Sequence, residues 1–272
     1  MGAVQREVRM ANLTDRIGRR LAQFLQTESS GYEPYTPSDP ETLKAVLQPG
    51  DILLVEGNQR VSAVIKYLTQ STWSHAAVYV GDALDPPGDG SERHRLVEVV
   101  LGEGCISVPL SKYRTYNTRI CRAHALSQAD RNRVVAFMVD SLGLQYDMRH
   151  ILDMLRYFFP FPPVPVRWRR RMIAFGSGDP TRAICSSLIA QAFQSVPYPI
   201  LPEVTRAPGR AAAASTYSRS EILHIRNHTL FTPRDFDLSP YFAVVKPTLE
   251  SDFDYRKIVW GSGADANSAA SG

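Results

Sequence analysis

A cysteine, a histidine and a glutamate in this sequence are of the residue types that thiol-based acyl transfer requires. Cys185 lies in the stretch RAICSSLIAQAF, at or near the first turns of a predicted amphipathic helix. Near a helix start, unpaired backbone N–H groups and the helix dipole favour a thiolate, and the same N–H groups can hold an oxyanion. The alternative is an inert, buried cysteine that serves only in packing.

His75 begins a predicted strand in the stretch STWSHAAVYVGD. Strand alternation places His75, Ala77 and Tyr79 on one face of that strand and the residues between them on the other. An imidazole at a strand end is a candidate general base for a thiol. The alternative is that His75 is a structural residue of the core or of the sheet edge. Trp73 and Ser74, just before it, are candidate walls of the same cleft.

Glu98 lies in the predicted strand LVEVV, where both faces are otherwise apolar. Its carboxylate is therefore expected to be at least partly buried, and a buried carboxylate needs a partner. An imidazole on a neighbouring strand would be such a partner, and Glu98 would then orient His75 as the third member of a triad does. The alternative is a structural salt bridge to Arg119 or Arg122.

The elements around these residues predict an α+β protein. Short strand-like runs at close spacing favour a largely antiparallel sheet, beginning with Ile52–Val55. Helical periodicity is predicted over residues 61–71, and a longer helix follows Ser127, which is placed to cap it, and ends near Gly143. The stretch 205–220 has low complexity and is predicted to be a loop.

Composition excludes several classes of protein. The chain has 272 residues with 44% apolar and 21% charged residues, as in ordinary globular proteins. It contains no run of about 20 apolar residues and no recognisable secretory signal. Its three cysteines lack zinc-site spacing, and phosphate-loop, HExxH and GxSxG motifs are absent, so we expect no metal and no cofactor. Reduced thiols without a signal predict a cytoplasmic location.

The net charge of +4 is concentrated in two stretches. Residues 1–27 have five arginines and two acidic residues, in an amphipathic pattern that predicts a helix packed on the domain or lying on anionic lipid. The second stretch, 150–175, combines aromatic residues with five arginines and one acidic residue. It predicts either a surface flap or contact with an anionic membrane surface, peripheral at the inner membrane, through Arg167, Arg169, Arg170 and Arg171. Neither stretch contains a motif for specific nucleic acid recognition.

Several motifs in order resemble the YiiX/YebB-like permuted papain-fold cysteine hydrolases, which are related to NlpC-type cell-wall peptidases and lecithin retinol acyltransferase. The motifs are GDILL, SHAAVYVGD, LVEVV, GLQYD and ICSSLIAQAF, followed by TPRDFDLSPYFAVVKP. The resemblance covers about residues 48–248. The order histidine, acid, cysteine matches the permuted branch, since unpermuted papain-like enzymes have the cysteine first.

The resemblance implies a circularly permuted papain-like (NlpC-type) fold and a bacterial cysteine hydrolase, of amidase or peptidase type. It makes Cys185 the nucleophile, His75 the base and Glu98 the orienter. It also adds Tyr146 as a candidate substrate contact to Trp73, Ser74 and the small Ser186 next to Cys185, which the sequence itself indicates. The expected substrate is a small molecule, peptide or lipid with an amide or ester bond. Alternatives are a lipid-directed acyltransferase or thioesterase, or a non-catalytic binding module. We expect a helix and linker over 1–40, the hydrolase domain over 41–250, and a tail over 251–272 whose end is disordered.

Overall fold

The computed structural model describes the central part of the chain and a few residues outside it. The described residues are 27, 32, 34–35, 39–100, 102–145, 184–206, 221–224, 226–247, 254 and 256. Most of the predicted N-terminal helix and C-terminal tail lie outside this set, so the domain division stays a prediction. Tyr32, from the predicted linker, does contact the domain: its hydroxyl accepts a bond from the Asn117 N–H at 3.0 Å, and its ring lies 5.9 Å from that of Tyr116.

A six-stranded antiparallel sheet in the order β4-β3-β2-β1-β5-β8 positions the candidate residues. A separate hairpin pairs β6 with β7. The strands are β1 (Ile52–Val55), β2 (His75–Tyr79), β3 (Leu96–Val100), β4 (Gly104–Val108), β5 (Thr118–Ala123), β6 (Glu203–Arg206), β7 (Glu221–His224) and β8 (Phe242–Val245).

The described helices flank this sheet. They are α1 (Pro40–Val46), α2 (Arg60–Thr69), α3 (Gln128–Asp140), α4 (Ile184–Gln194) and α5 (Pro233–Leu238), with 3₁₀ turns at Leu110–Tyr113 and His228–Leu230. Ser127 caps α3 as predicted, since its hydroxyl accepts the Asp130 N–H at 3.1 Å. Gly143 follows the helix end with φ +82, a left-handed conformation that glycine adopts without steric cost.

The central strands are apolar on both faces because both faces are covered. Helix α4 packs on the face that presents Ala76 and Val78, and α3 packs against α4. The opposite face presents Ala77 and Tyr79, and the 3₁₀ turn Leu110–Tyr113 and α1 cover it. A sheet buried between two layers requires near-continuous hydrophobic strands, which is why the strand Ile52–Val55 has no polar position.

One element differs from expectation. The predicted loop over 205–220 begins with two residues of β6, whose partner β7 starts at Glu221. A two-stranded pairing of this kind is made by backbone hydrogen bonds, and the sequence EVTR has too little alternation to reveal it. Among the described residues, no helix is both long and apolar enough to span a membrane.

Candidate active site

His75 and Glu98 form a hydrogen-bonded pair at one end of the sheet. The Nε2 atom of His75 lies 2.9 Å from Oε2 of Glu98. The Glu98 side chain is fully buried, whereas that of His75 remains 22% exposed. Because Nε2 is occupied by the carboxylate, Nδ1 is the ring nitrogen that remains for another partner.

Glu98 receives two further donors from the 3₁₀ turn Leu110–Tyr113. The Lys112 ammonium bonds to Oε1, and the Tyr113 hydroxyl bonds to Oε2, the oxygen that also faces His75. The sequence indicated that Glu98 needs a partner, but it did not single out Lys112 or Tyr113. Only the general rule that a buried carboxylate collects donors pointed to such residues, and many polar side chains satisfy that rule.

Cys185 approaches from the other face of the sheet. It lies in the first described turn of α4, is 6% exposed, and packs in the same cluster as Ala76 and Val78. Glu98 projects to the opposite face, level with Ala77, its partner in the strand ladder. His75 is the first residue of β2, so its ring lies at the strand end, where it can interact with groups from both faces.

Charge interactions at this site favour an imidazolium. Burial by itself lowers the pKa of His75, but the Glu98 carboxylate and the Cys185 sulfur together outweigh it and raise that pKa to about 10. Burial likewise opposes ionisation of Glu98, yet His75 and Lys112 lower the pKa of its carboxyl to about 2. Glu98 is therefore an anion at neutral pH.

The same interactions favour a thiolate at Cys185. Burial raises the pKa of a thiol, but the charge of His75, with polar contacts from its ring, the Ala76 N–H and the Ser186 hydroxyl, lowers the pKa of Cys185 overall. At the other two cysteines burial outweighs every charge that would lower the pKa, including that of Arg119 near Cys121. Burial raises the pKa of Cys105 to about 11 and that of Cys121 to about 12.

The sequence model of one known protein family matches part of the chain. Residues 46–159 match the sequence model of the permuted papain-like amidase enzymes of the YaeF/YiiX type, the C92 peptidase family. The predicted resemblance to the permuted papain-like family is confirmed. The family is one of papain-like amidases, which supports a cysteine hydrolase, and the α+β class with an antiparallel sheet and packed helices is confirmed as well.

One solved structure is similar to this chain. It is described as the metalloprotein yiiX from Escherichia coli O157:H7, has 16% sequence identity, and superposes with a TM-score of 0.41 over 73% of this chain and 96% of that chain. No curated protein matches the chain significantly. The segment that matches the C92 family contains His75 and Glu98 and ends before Cys185. In the described part of the chain, no group of three or more His, Cys, Asp or Glu residues is arranged to hold a metal ion.

The candidate substrate contacts fall in different environments. Trp73 is 7% exposed, and its indole N–H donates to Asp237 at 3.1 Å. Ser74 is buried and its hydroxyl accepts the Gly57 N–H at 2.9 Å. Ser186 is fully buried, with its hydroxyl 3.8 Å from the Cys185 sulfur. Tyr146, Arg167, Arg169, Arg170 and Arg171 lie outside the described residues, so their roles stay predictions.

Neither arginine proposed as an alternative partner contacts Glu98. Arg119 pairs with Asp237 at 2.7 Å, and its guanidinium lies over the Trp73 ring at 4.9 Å. Arg122 holds the buried Asp51 through two nitrogens. Both arginines are on β5, separated from β3 by two strands, which the linear sequence does not indicate.

Proposed function

We propose that this protein is a cysteine-dependent hydrolase of the amidase or peptidase type, with Cys185, His75 and Glu98 as its catalytic triad. One observation carries the proposal: a histidine at a strand end lies between a buried carboxylate and a thiol whose pKa is lowered by that histidine. A nucleophile, a base and an orienting group in contact are the minimum set for covalent acyl transfer.

The proposed reactive form of the site is a thiolate–imidazolium pair, because Glu98 and Cys185 raise the pKa of His75 to about 10 and the charge of His75 lowers the pKa of Cys185. The Cys185 thiolate attacks the carbonyl carbon of an amide, ester or thioester, and a carbon–sulfur bond forms. The main-chain N–H of Cys185 and a neighbouring donor stabilise the oxyanion. The proton on Nδ1 of His75 passes to the leaving group, whose bond to the carbonyl carbon breaks.

The second half of the reaction hydrolyses the acyl-enzyme and regenerates the Cys185 thiolate. Neutral His75 takes a proton from water, the hydroxide attacks the thioester, and the carbon–sulfur bond breaks to release the acid and the thiolate. Glu98 keeps Nε2 bonded throughout, so the ring stays oriented and the imidazolium is stabilised each time it forms. An acceptor other than water at this step would make the protein an acyltransferase.

The lipid-directed alternative rests on the aromatic and basic stretch 150–175. An acyltransferase or thioesterase at a membrane surface would use the same triad, with a lipid acyl group in place of a peptide or small amide. A non-catalytic module would keep the fold and the buried pair but form no acyl-enzyme. The three alternatives therefore differ in the adduct on Cys185.

The test is detection of that adduct by intact-mass spectrometry after incubation with a cell extract. We expect one adduct that maps to Cys185, disappears in Cys185→Ala, and has a mass that names the acyl class. Cys105→Ala is the matched control, because Cys105 is also buried but its pKa is raised rather than lowered. An adduct that persists in folded Cys185→Ala, or labelling of Cys105 instead, would contradict the proposal.

A further inference from the structure

We propose that Lys112 and Tyr113 are positioning residues of this site, which hold Glu98 in the ionised state and in the rotamer that orients His75. The inference rests on the proposed function and extends it to a five-residue site. Neither residue is expected to touch the substrate carbonyl, and both act through Glu98.

Among the described residues, His75, Lys112 and Tyr113 bond to the carboxylate of Glu98. Oε1 accepts from Lys112, while Oε2 is shared by His75 and Tyr113. The Glu98 side chain has no exposed surface, so water does not replace a donor that is lost. A buried carboxylate that loses a charged partner takes up a proton or changes its rotamer, and either change releases His75.

The two donors divide this task because they differ in charge and exposure. Tyr113 is 4% exposed, its ring lies 6.2 Å from that of His75, and it is a neutral donor that fixes one oxygen. Lys112 has a side chain that is 38% exposed, so its ammonium stays hydrated while it neutralises the buried charge. Together with the Glu98 carboxylate, the thiolate and the imidazolium, this cation gives the site a net charge near zero.

The 3₁₀ turn Leu110–Tyr113, which supplies both donors, is held in place by contacts that do not involve Glu98. Leu110 is buried at 2% exposure, the Lys112 N–H bonds to the Pro109 carbonyl at 3.3 Å, and the Ser111 N–H donates to Glu92. In a 3₁₀ turn the side chains of residues i and i+3 lie on the same side, so the side chains of two consecutive residues leave the backbone in different directions. Lys112 and Tyr113 therefore reach different oxygens of one carboxylate from a single rigid element.

The test is the rate of Cys185 alkylation by iodoacetamide as a function of pH, which requires no knowledge of the substrate. The titratable groups that face Glu98 are His75 on β2 and Lys112 and Tyr113 on the turn, and Cys105 on β4 interacts with its charge from the other face of the sheet. In Lys112→Met, Glu98 takes up a proton at higher pH and no longer supports the imidazolium. The acid limb of the profile should therefore move up by about one pH unit.

Matched variants make the result specific. Lys112→Arg should keep the wild-type limb, because it restores the cation. Arg114→Met, which removes an exposed cation from the end of the same turn, should also leave it unchanged. Tyr113→Phe should move the limb in the same direction as Lys112→Met. In the Glu98→Gln background, Lys112→Met should produce no additional shift, since the group through which it acts is gone.

The outcomes separate the two proposals. Alkylation that persists at wild-type rates in Cys185→Ala overturns the proposed function. A Cys185-dependent profile that is identical in wild type, Tyr113→Phe and Lys112→Met, each shown to be folded by circular dichroism, overturns only the positioning role. Should Lys112→Met not fold, Tyr113→Phe decides, because it removes one hydroxyl and no charge. A shift of equal size in the Glu98→Gln background also overturns the role.

Discussion

Glu98 is bonded to His75, although its partner across the strand ladder is Ala77. The distance from His75 Nε2 to Glu98 Oε2 is 2.9 Å, and the two residues are diagonal neighbours on one face of adjacent antiparallel strands. Such diagonal pairs lie within reach of long side chains. Because of this diagonal placement, the ring of His75 lies at the strand end, where the thiol of Cys185 approaches it from the opposite face of the sheet.

The pH dependence of turnover follows from this contact. Transfer of a proton to the leaving group needs the imidazolium, so turnover should fall as pH rises through about 10, the pKa of His75. Glu98→Gln removes the anion that stabilises the imidazolium, so it should move this base limb to lower pH and lower kcat by about 100-fold or more. Turnover against pH of the acyl substrate found by adduct mass measures both effects.

Alkylation by iodoacetamide is the control for this prediction. It needs a thiolate but no proton donor, so in wild type it should continue above pH 10 while turnover falls. A base limb shared by the two reactions, or one that Glu98→Gln moves to higher pH, would contradict the role of His75.

The three cysteines should differ sharply in reactivity. At pH 7 we expect one alkylation per native chain, at Cys185, because burial raises the pKa of Cys105 and Cys121 to about 11 and 12. Peptide mapping after iodoacetamide treatment measures this selectivity. In guanidinium chloride all three should react, which shows that the native environment protects two of them. Equal reaction of all three in the native protein would show that Cys185 is not activated.

Gly57 should be intolerant of a side chain. A Cβ at this position would lie 2.3 Å from the hydroxyl oxygen of Ser62 and 2.9 Å from that of Ser74, the residue before His75. Gly57→Ala should therefore lower the free energy of unfolding by about 1–3 kcal/mol and reduce the rate of Cys185 modification. Urea unfolding and alkylation rates are the measurements.

Gly88→Ala is the matched control for that substitution, because a Cβ there meets no atom within 4 Å. It should change stability by less than about 0.5 kcal/mol. If Gly57→Ala is as stable and as reactive as Gly88→Ala, then the side chains of Ser62 and Ser74 move aside without loss of stability. The start of β2 would then not depend on their packing.

Binding to anionic membranes is a prediction of the sequence alone. Sedimentation with phosphatidylglycerol vesicles should be salt-dependent and should weaken when Arg167, Arg169, Arg170 and Arg171 are changed to glutamine, since each basic residue near an anionic surface contributes about 1 kcal/mol. Changing the five arginines of residues 1–27 separately tests the N-terminal stretch. Absence of salt-dependent binding would remove the lipid-surface alternative and leave soluble amides and esters as substrates.

Much of the fold could be predicted because its signals are local. The strand Ile52–Val55 is a run of apolar residues after a turn, and the cap at Ser127 is a short-range motif. The hairpin of β6 and β7 was missed because its strands lack alternation. The partners of Arg119 and Arg122 were missed because they depend on the order of strands in the sheet.

The sequence by itself determined the residue types on which the proposed chemistry rests: a thiol near a predicted helix start, a histidine at a strand end, and a carboxylate in an apolar strand. It also determined their permuted order along the chain. Only the tertiary structure decided that Glu98 and Cys185 lie on opposite faces of the sheet and meet at His75, and that Lys112 and Tyr113 complete the carboxylate's hydrogen bonds. The reason is physical: strand register and the packing of α4 set these distances, and neither is encoded in local periodicity.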